Sequence, residues 1–236
     1  METHQLGQSS LLVSPLGLGC TGMSAYYGKP DEDEAIATIH RALELGINFF
    51  DTVDMYAAGR NEELLGRAIR RANMIHPITA LQTEYSLWSR EPENRLLGLC
   101  RELGIGFVAY SPLGRGFLAG TINRVDDLSP NDSRLRTPRF EQPNLERNRE
   151  LISRLRGVAR RNDCTVAQLS LAWLLSRRGK IVPIPGTKRR GYLEENVAAL
   201  AIQLTSFDLA EIDEIMRNGA AVGARYSAPM LRLVDR

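Results

Sequence analysis

Apolar positions along this chain follow two alternating rhythms. Residues 11–19 (LLVSPLGLG) form an apolar run broken by Pro15 and by glycines, the pattern of a short strand entering a loop. Pro30-Asp31 then opens a helix in which Ala35, Ile36, Ile39, Ala42 and Leu43 fall on one stripe that stops at Gly46. Ile47 to Phe50 read as a strand that delivers Asp51 at its C-terminal end. Asn61, followed by Glu62 and Glu63, caps a second helix with Leu64, Leu65, Ala68 and Ile69 turned inward.

The alternation resumes with strands at 78–81, 106–110 and 181–184 and helices at 92–103, 146–162, 165–178 and 192–200. A last helix, after Ser206, carries Leu209, Ile212, Ile215 and Met216 on one face. Between 114 and 145, Pro, Asn, Arg and Asp dominate, a long connection of the functional or mobile kind. Strands alternating with helices imply a parallel sheet with right-handed crossovers, either open and doubly wound or closed as a barrel. The pattern alone does not choose. Gly17, Gly19 and Gly22 after the first strand do not make the GxGxxG dinucleotide fingerprint, which speaks against a Rossmann domain.

With 236 residues, 43% hydrophobic and 25% charged, the chain suffices for one large α/β domain. Thirty basic against 28 acidic side chains leave +2, which gives no pull toward nucleic acid or membrane. Cys20, Cys100 and Cys164 are too widely spaced for a disulfide framework or a zinc site, so no metal is expected and a reducing cytosol is the simplest compartment. The first ten residues (METHQLGQSS) lack a basic-then-apolar leader, and no apolar run approaches the ~20 residues that span a bilayer. The expectation is a cytoplasmic protein.

In the stretch from Asn48 to Tyr56, an aspartate at a strand's end is followed five residues later by a tyrosine. In a barrel, both would stand at the C-terminal face, where active sites lie. A tyrosine can protonate a carbonyl oxygen that receives hydride, but its ordinary pKa near ~10 makes it sluggish unless a cation lowers it. The chemistry therefore asks for a lysine held by an aspartate. Met singly, such a pair more often means a turn cap and a rim aromatic.

It is not single. GINFFDTVDMYAAGRNEELLGRAI resembles the signature of the aldo-keto reductases, NADP-dependent (β/α)8-barrel oxidoreductases, whose catalytic aspartate and tyrosine fall on Asp51 and Tyr56. HPITALQTEYSLW is similar to the family's sixth strand, where Gln82 would bond the nicotinamide carboxamide. FVAYSPLGRGFLAG resembles the seventh; Tyr110 would stack on the nicotinamide, with Ser111, Leu113, Gly114 and Arg115 beside the pyrophosphate. IVPIPGTKRRGYLEENVAAL resembles the eighth strand and its helix. There Gly186 and Thr187 precede a helix N-terminus suited to phosphate, Lys188 suits a 2′-phosphate, and Glu195 and Asn196 would bind the adenine. The resemblance also implies Cys20, Thr21 and Gly22 at the cofactor, which would be NADP(H), and a small carbonyl substrate. Loops 21–30 and 114–145 offer Tyr26, Tyr27 and Phe117 as pocket walls, with Trp88 another.

Eight βα units take ~250 residues, about 30 each. Between Ile69 and Ile78 this chain passes straight from a second helix to a sixth-type strand, so three βα units have no counterpart and the join falls near Ala72-Asn73-Met74. By resemblance, that gap should hold the catalytic lysine and histidine; His4, His40 and His76 do not replace them. The fold expected is thus a single, incomplete TIM-type barrel with about five of eight strands, which stays open, closes differently or completes itself as a homo-oligomer. Three functions remain open: an NADPH-dependent reductase of aldehydes or ketones, an NADPH-binding protein without turnover, and the remnant of an internal deletion.

Overall fold

The computed structural model describes residues 2–19, 34, 37–38, 41–42, 44–48, 50–51, 80–177 and 181–227. A two-strand hairpin, β1 (His4–Gln5) and β2 (Leu12–Val13), comes first, paired antiparallel with His4 opposite Val13. β3 (Leu18–Gly19) then pairs in parallel with β4 (Phe50–Asp51). The run 11–19 is therefore two strands with different partners. Pro15 cannot donate to a ladder, and at that break Ser14 turns to Asn48, whose Oδ1 accepts its N–H at 2.7 Å.

A three-stranded parallel sheet follows, in the order β5 (Ala80–Glu84), β6 (Gly106–Tyr110), β7 (Ile181–Pro183). The Gly17 N–H donates to Pro183 O at 3.0 Å, which lays the lead-in to β3 beside β7. Five parallel strands are thus present among the described residues, as expected. In β6 only Tyr110 escapes full burial, as befits a central strand covered on both faces.

Residues 34, 37–38, 41–42 and 44 are helical, as the stripe ending at Gly46 predicts. The further α-helices among the described residues are α1 (Leu96–Leu103), α2 (Gln142–Arg161), α3 (Val166–Leu175), α4 (Arg190–Ala198) and α5 (Ser206–Ile215). α1 stops at Gly104, whose φ of +67° is left-handed, and the Ile105 N–H closes on Cys100 O at 2.8 Å. α2 begins earlier than its hydrophobic stripe suggests because Pro143 sits in its first turn, and it buries Leu145, Ile152, Leu155 and Val158 on one face. α3 and α5 start at capping boxes: Thr165 with Gln168, and Thr205 with Asp208. α3 is buried along eight of its ten residues, the mark of a core helix.

The main core lies between the β5–β7 sheet and α1, α2, α3 and α5, with Tyr85, Phe107, Leu155, Leu169, Trp173 and Ile212 almost completely enclosed. Each large side chain so buried contributes roughly 1.5–3 kcal/mol. On the other face of the sheet, Leu6 and Val13 of the hairpin pack on Val182 and Ala80, so the hairpin floors the N-terminal end of the strands. A Cβ on Gly106 would stand 2.7 Å from Leu6 and push that side chain aside.

Trp88 and Phe117, expected as pocket walls, belong to the core instead. Their rings stack at 4.7 Å, and Phe140 meets both edge-on at 5.9 and 6.0 Å. The connection 114–145 is not featureless: it holds 3-10 turns at Gly114–Ala119, Val125–Asp127, Ser133–Arg136 and Pro138–Phe140.

Candidate functional site

Alternation along a strand places Gln82 and Glu84 on one face of β5, and the register brings Glu84 level with Tyr110 on β6. That face looks away from Phe107 and the helices. Both strands end here, so Glu84 and Tyr110 stand at the C-terminal edge of the parallel sheet. Gln82 is exposed; Glu84, two residues on, is only 1% exposed.

A buried carboxylate must find donors, and Glu84 has several. The Ser89 hydroxyl donates to its Oε1 at 2.7 Å, and Arg139 Nη1 lies 3.6 Å from the same oxygen. Its Oε2 faces Arg115 Nη2 at 3.4 Å and Arg225 Nε at 4.0 Å. Arg225 and Tyr226 come from a segment, residues 217–227, that follows α5 back across the sheet edge. The Tyr110 and Tyr226 hydroxyls share a hydrogen bond at 2.9 Å. Burial first, then the Glu84 charge, pushes the Tyr110 phenol far above its usual range.

After Tyr110 the backbone turns sharply. Ser111 and Arg115 adopt positive φ (49° and 58°) although neither is glycine, and Gly114 and Gly116 do the same at 55° and 89°. A Cβ on Gly114 would meet the Trp88 indole at 2.6 Å, so the turn is wedged against that ring. Arg134 Nη1 donates to Arg115 O at 3.0 Å and its Nη2 grips Asp132 at 2.6 Å. Burial raises the Asp132 carboxyl, but the hydrogen bonds from Arg134 and the charge of Lys188 outweigh it and hold it below the usual range.

Beyond β7, Gly186 is exposed, Thr187 is buried and Lys188 half-buried. The Thr187 hydroxyl accepts the Arg189 N–H at 3.2 Å, organising the turn into α4. The N-terminus of α4 carries an anionic group: Glu34 Oε1 accepts the Arg190 N–H at 3.1 Å, and the Arg190 guanidinium flanks it at 3.3 Å. Glu195 is half-buried and its backbone O accepts from Gln168 Nε2 at 3.2 Å. Asn196 is buried, at 3% exposure, rather than on a solvated helix face.

Tyr110 and Arg115 thus gather around Glu84, and Ser111, Leu113 and Gly114 form the adjoining turn. Asp51 is seen through its backbone as the last residue of β4. Tyr56, Cys20, Thr21 and Gly22, with Tyr26, Tyr27 and the join near 72–74, lie outside the described residues. Glu84, Arg139, Arg225 and Tyr226 went unnoticed in the sequence. A signal for Glu84 existed, since polar residues alternate at Gln82 and Glu84 in an otherwise strand-like run; Arg225 and Tyr226 lie in an aperiodic stretch. Among the described residues no helix is long and apolar enough to cross a membrane, and no group of three or more His, Cys, Asp or Glu could hold a metal ion.

Parallel strands with the intervening helices outside, and polar residues collected at the strands' C-terminal ends, are the layout of an α/β barrel-type scaffold. The chain belongs to the aldo/keto reductase family: the family's sequence profile matches residues 15–77 and 73–217. It is similar to the probable aldo-keto reductase 1 of Glycine max, 33% identical over 319 aligned residues that take in 96% of this chain and 92% of that protein. Its fold is similar to that of the glycerol dehydrogenase AKR11B4 from Gluconobacter oxydans, with a TM-score of 0.71 at 18% identity, across 91% of this chain and 95% of that one. Family membership makes it a protein of an oxidoreductase class that acts on carbonyl compounds with nicotinamide dinucleotides.

Proposed function

We propose that the chain is a cytoplasmic NADPH-dependent reductase of aldehydes or ketones. The observation that carries this reading is the turn after β6, where Tyr110 and the glycine-bearing segment 111–115 stand at the C-terminal sheet edge of a chain in this family. The residues present fit a dinucleotide. Gly116, only half-buried, carries no side chain in that turn, and the α4 N-terminus already attracts an anion in the form of Glu34.

Tyr110 and Gln82 would flank the nicotinamide; Ser111, Leu113, Gly114 and Arg115, with Cys20, Thr21 and Gly22, would line the pyrophosphate. Gly186, Thr187 and Lys188 would take the adenosine phosphate, with Glu195 and Asn196 at the adenine. When bound, the cofactor supplies a hydride for the carbonyl carbon. Tyr56 would give its phenolic proton to the carbonyl oxygen, with Asp51 positioning the group that lowers its pKa. Titrating the protein with NADPH and then adding 4-nitrobenzaldehyde tests this; consumption of NADPH that Tyr56→Phe abolishes supports it, and absence of NADPH binding sinks it.

A second reading, NADPH binding without turnover, has its own support. The two profile matches meet within residues 73–77, and the alignment to the soybean protein is longer, at 319 positions, than the 236-residue chain itself. Both favour a single domain that lacks three βα units near 72–74, and with them the lysine and histidine on which proton transfer depends. Binding of NADPH without any aldehyde reduction would decide for this reading.

A further inference from the structure

Three guanidinium groups converge on one buried carboxylate, and they are not equally committed to it. Arg139 is held firmly: its Nη1 donates to Ser89 Oγ at 2.8 Å and its Nε to Gly223 O at 3.4 Å. Arg115 spends Nη1 on Arg225 O at 3.0 Å and offers Glu84 only a long contact through Nη2. Arg225 approaches Glu84 through Nε alone, at 4.0 Å. Among the described residues, no acceptor takes a hydrogen bond from either of its Nη atoms, the forked pair best shaped for a planar anion.

Charge points the same way. Among the described residues Glu91 also acts on both Arg139 and Arg225, but it is exposed, so the three guanidiniums share Glu84 as their buried carboxylate in a place where screening is weak. The side chains of Arg115 and Arg225 keep 15% and 23% of their exposure, so an entering group can reach them. The Tyr226 ring supports both guanidiniums, at 4.7 and 5.1 Å from its centroid, and ties its hydroxyl to Tyr110. The fork of Arg225 is therefore held beside Tyr110.

We propose that Arg225, backed by Arg115, forms a subsite at the C-terminal edge of the sheet for the carboxylate of a carbonyl substrate. This deepens the reductase reading, on which it rests: the carboxylate belongs to the substrate and not to the dinucleotide.

The test compares wild type, Arg225→Gln and Arg225→Lys by fluorescence titration with NADPH, then, with NADPH saturating, with 2-carboxybenzaldehyde and with uncharged 4-nitrobenzaldehyde. A substrate subsite predicts that Arg225→Gln weakens 2-carboxybenzaldehyde by roughly tenfold to a hundredfold and spares the other two ligands within about twofold. A loss that falls on NADPH instead overturns it, since Arg225 would then serve only the cofactor's phosphate. Arg225→Lys, which keeps the charge but not the fork, should lose less and guards against a glutamine variant that misfolds. Unchanged affinity for all three ligands in Arg225→Gln, or equal loss for charged and uncharged aldehydes, overturns the subsite. Titration with benzoate in the absence of cofactor separates the subsite from the reductase reading. If wild type fails to bind NADPH yet binds benzoate in an Arg225-dependent way, the reductase reading falls and the subsite stands; if it binds NADPH but neither benzoate nor the carboxylated aldehyde depends on Arg225, only the subsite falls.

Discussion

Asn148 clasps Val222 with both ends of its amide: Oδ1 accepts the Val222 N–H at 2.8 Å and Nδ2 donates to Val222 O at 3.0 Å. The residues are 74 apart in sequence, and Asn148 is fully buried on the inward face of α2. A third bond runs from Nδ2 to Arg139 O at 3.3 Å. This amide docks the segment that brings Arg225 and Tyr226 to the sheet edge.

Asn148→Leu should therefore cost about 1–3 kcal/mol, since it strips three hydrogen bonds and leaves half-buried backbone groups of Val222 unpaired. Urea unfolding measures the loss. Limited proteolysis should cut first after Arg217 or Arg225, and an unchanged cleavage pattern would remove Asn148 from this role.

Alkali should unfold the protein in two stages. Burial pushes the Cys100 thiol up to about 11 and also raises Tyr85 and Tyr110. A group whose folded pKa is raised contributes fully below its unfolded pKa and loses that contribution as pH climbs toward the folded value. For Cys100 the window opens near pH ~9 and ends near 11; for the tyrosines it opens near ~10. Urea midpoints measured between pH 8 and 11 should fall accordingly, and Cys100→Ala should reduce the fall that begins near pH ~9 without abolishing it, because burial raises Cys164 as well.

Asp213 Oδ1 gathers Arg90 Nη1 at 2.9 Å, Trp173 Nε1 at 3.0 Å and Arg177 Nη2, and both guanidiniums lie over the Trp173 ring, 5.0 and 4.0 Å from its centroid. Asp213→Ala leaves both cations short of a counter-charge at the α3–α5 contact. A loss of roughly 2–3 kcal/mol is expected, less than a fully buried pair would give because Asp213 keeps 35% exposure. Replacement by Asn, which keeps the acceptor for Trp173, should recover part of it in thermal unfolding.

Gly114→Ala should be harmful twice over. Its φ of +55° strains any L-residue, and the new methyl would drive into Trp88. Expected are a stability loss of about 1–3 kcal/mol and weaker NADPH binding, whereas Gly191→Ala, with nothing within 4 Å, serves as the control.

Much of the fold was legible from periodicity. The strand 106–110 was read with its true bounds, and α3 and α5 begin at Thr-x-x-Gln and Thr-x-x-Asp capping boxes visible as letters. What escaped has a physical cause. The β1–β2 hairpin is too short to show alternation, and the segment 217–227 is held by side-chain-to-backbone bonds from Asn148, Arg115 and Arg139, which leave no local rhythm. The site divides along the same line. Tyr110 through Arg115 stood out because strand, glycine and turn are adjacent in sequence. Glu84, Arg139 and Arg225 did not, because a buried ion cluster assembled from three distant segments is a product of tertiary folding.

The hairpin that floors the strands also decides how the protein can be handled. Leu6 and Val13 sit against Val182 at the end of the sheet opposite Glu84 and Tyr110. An affinity tag placed ahead of the hairpin emerges on the far side from every ligand considered above and can stay attached during titrations.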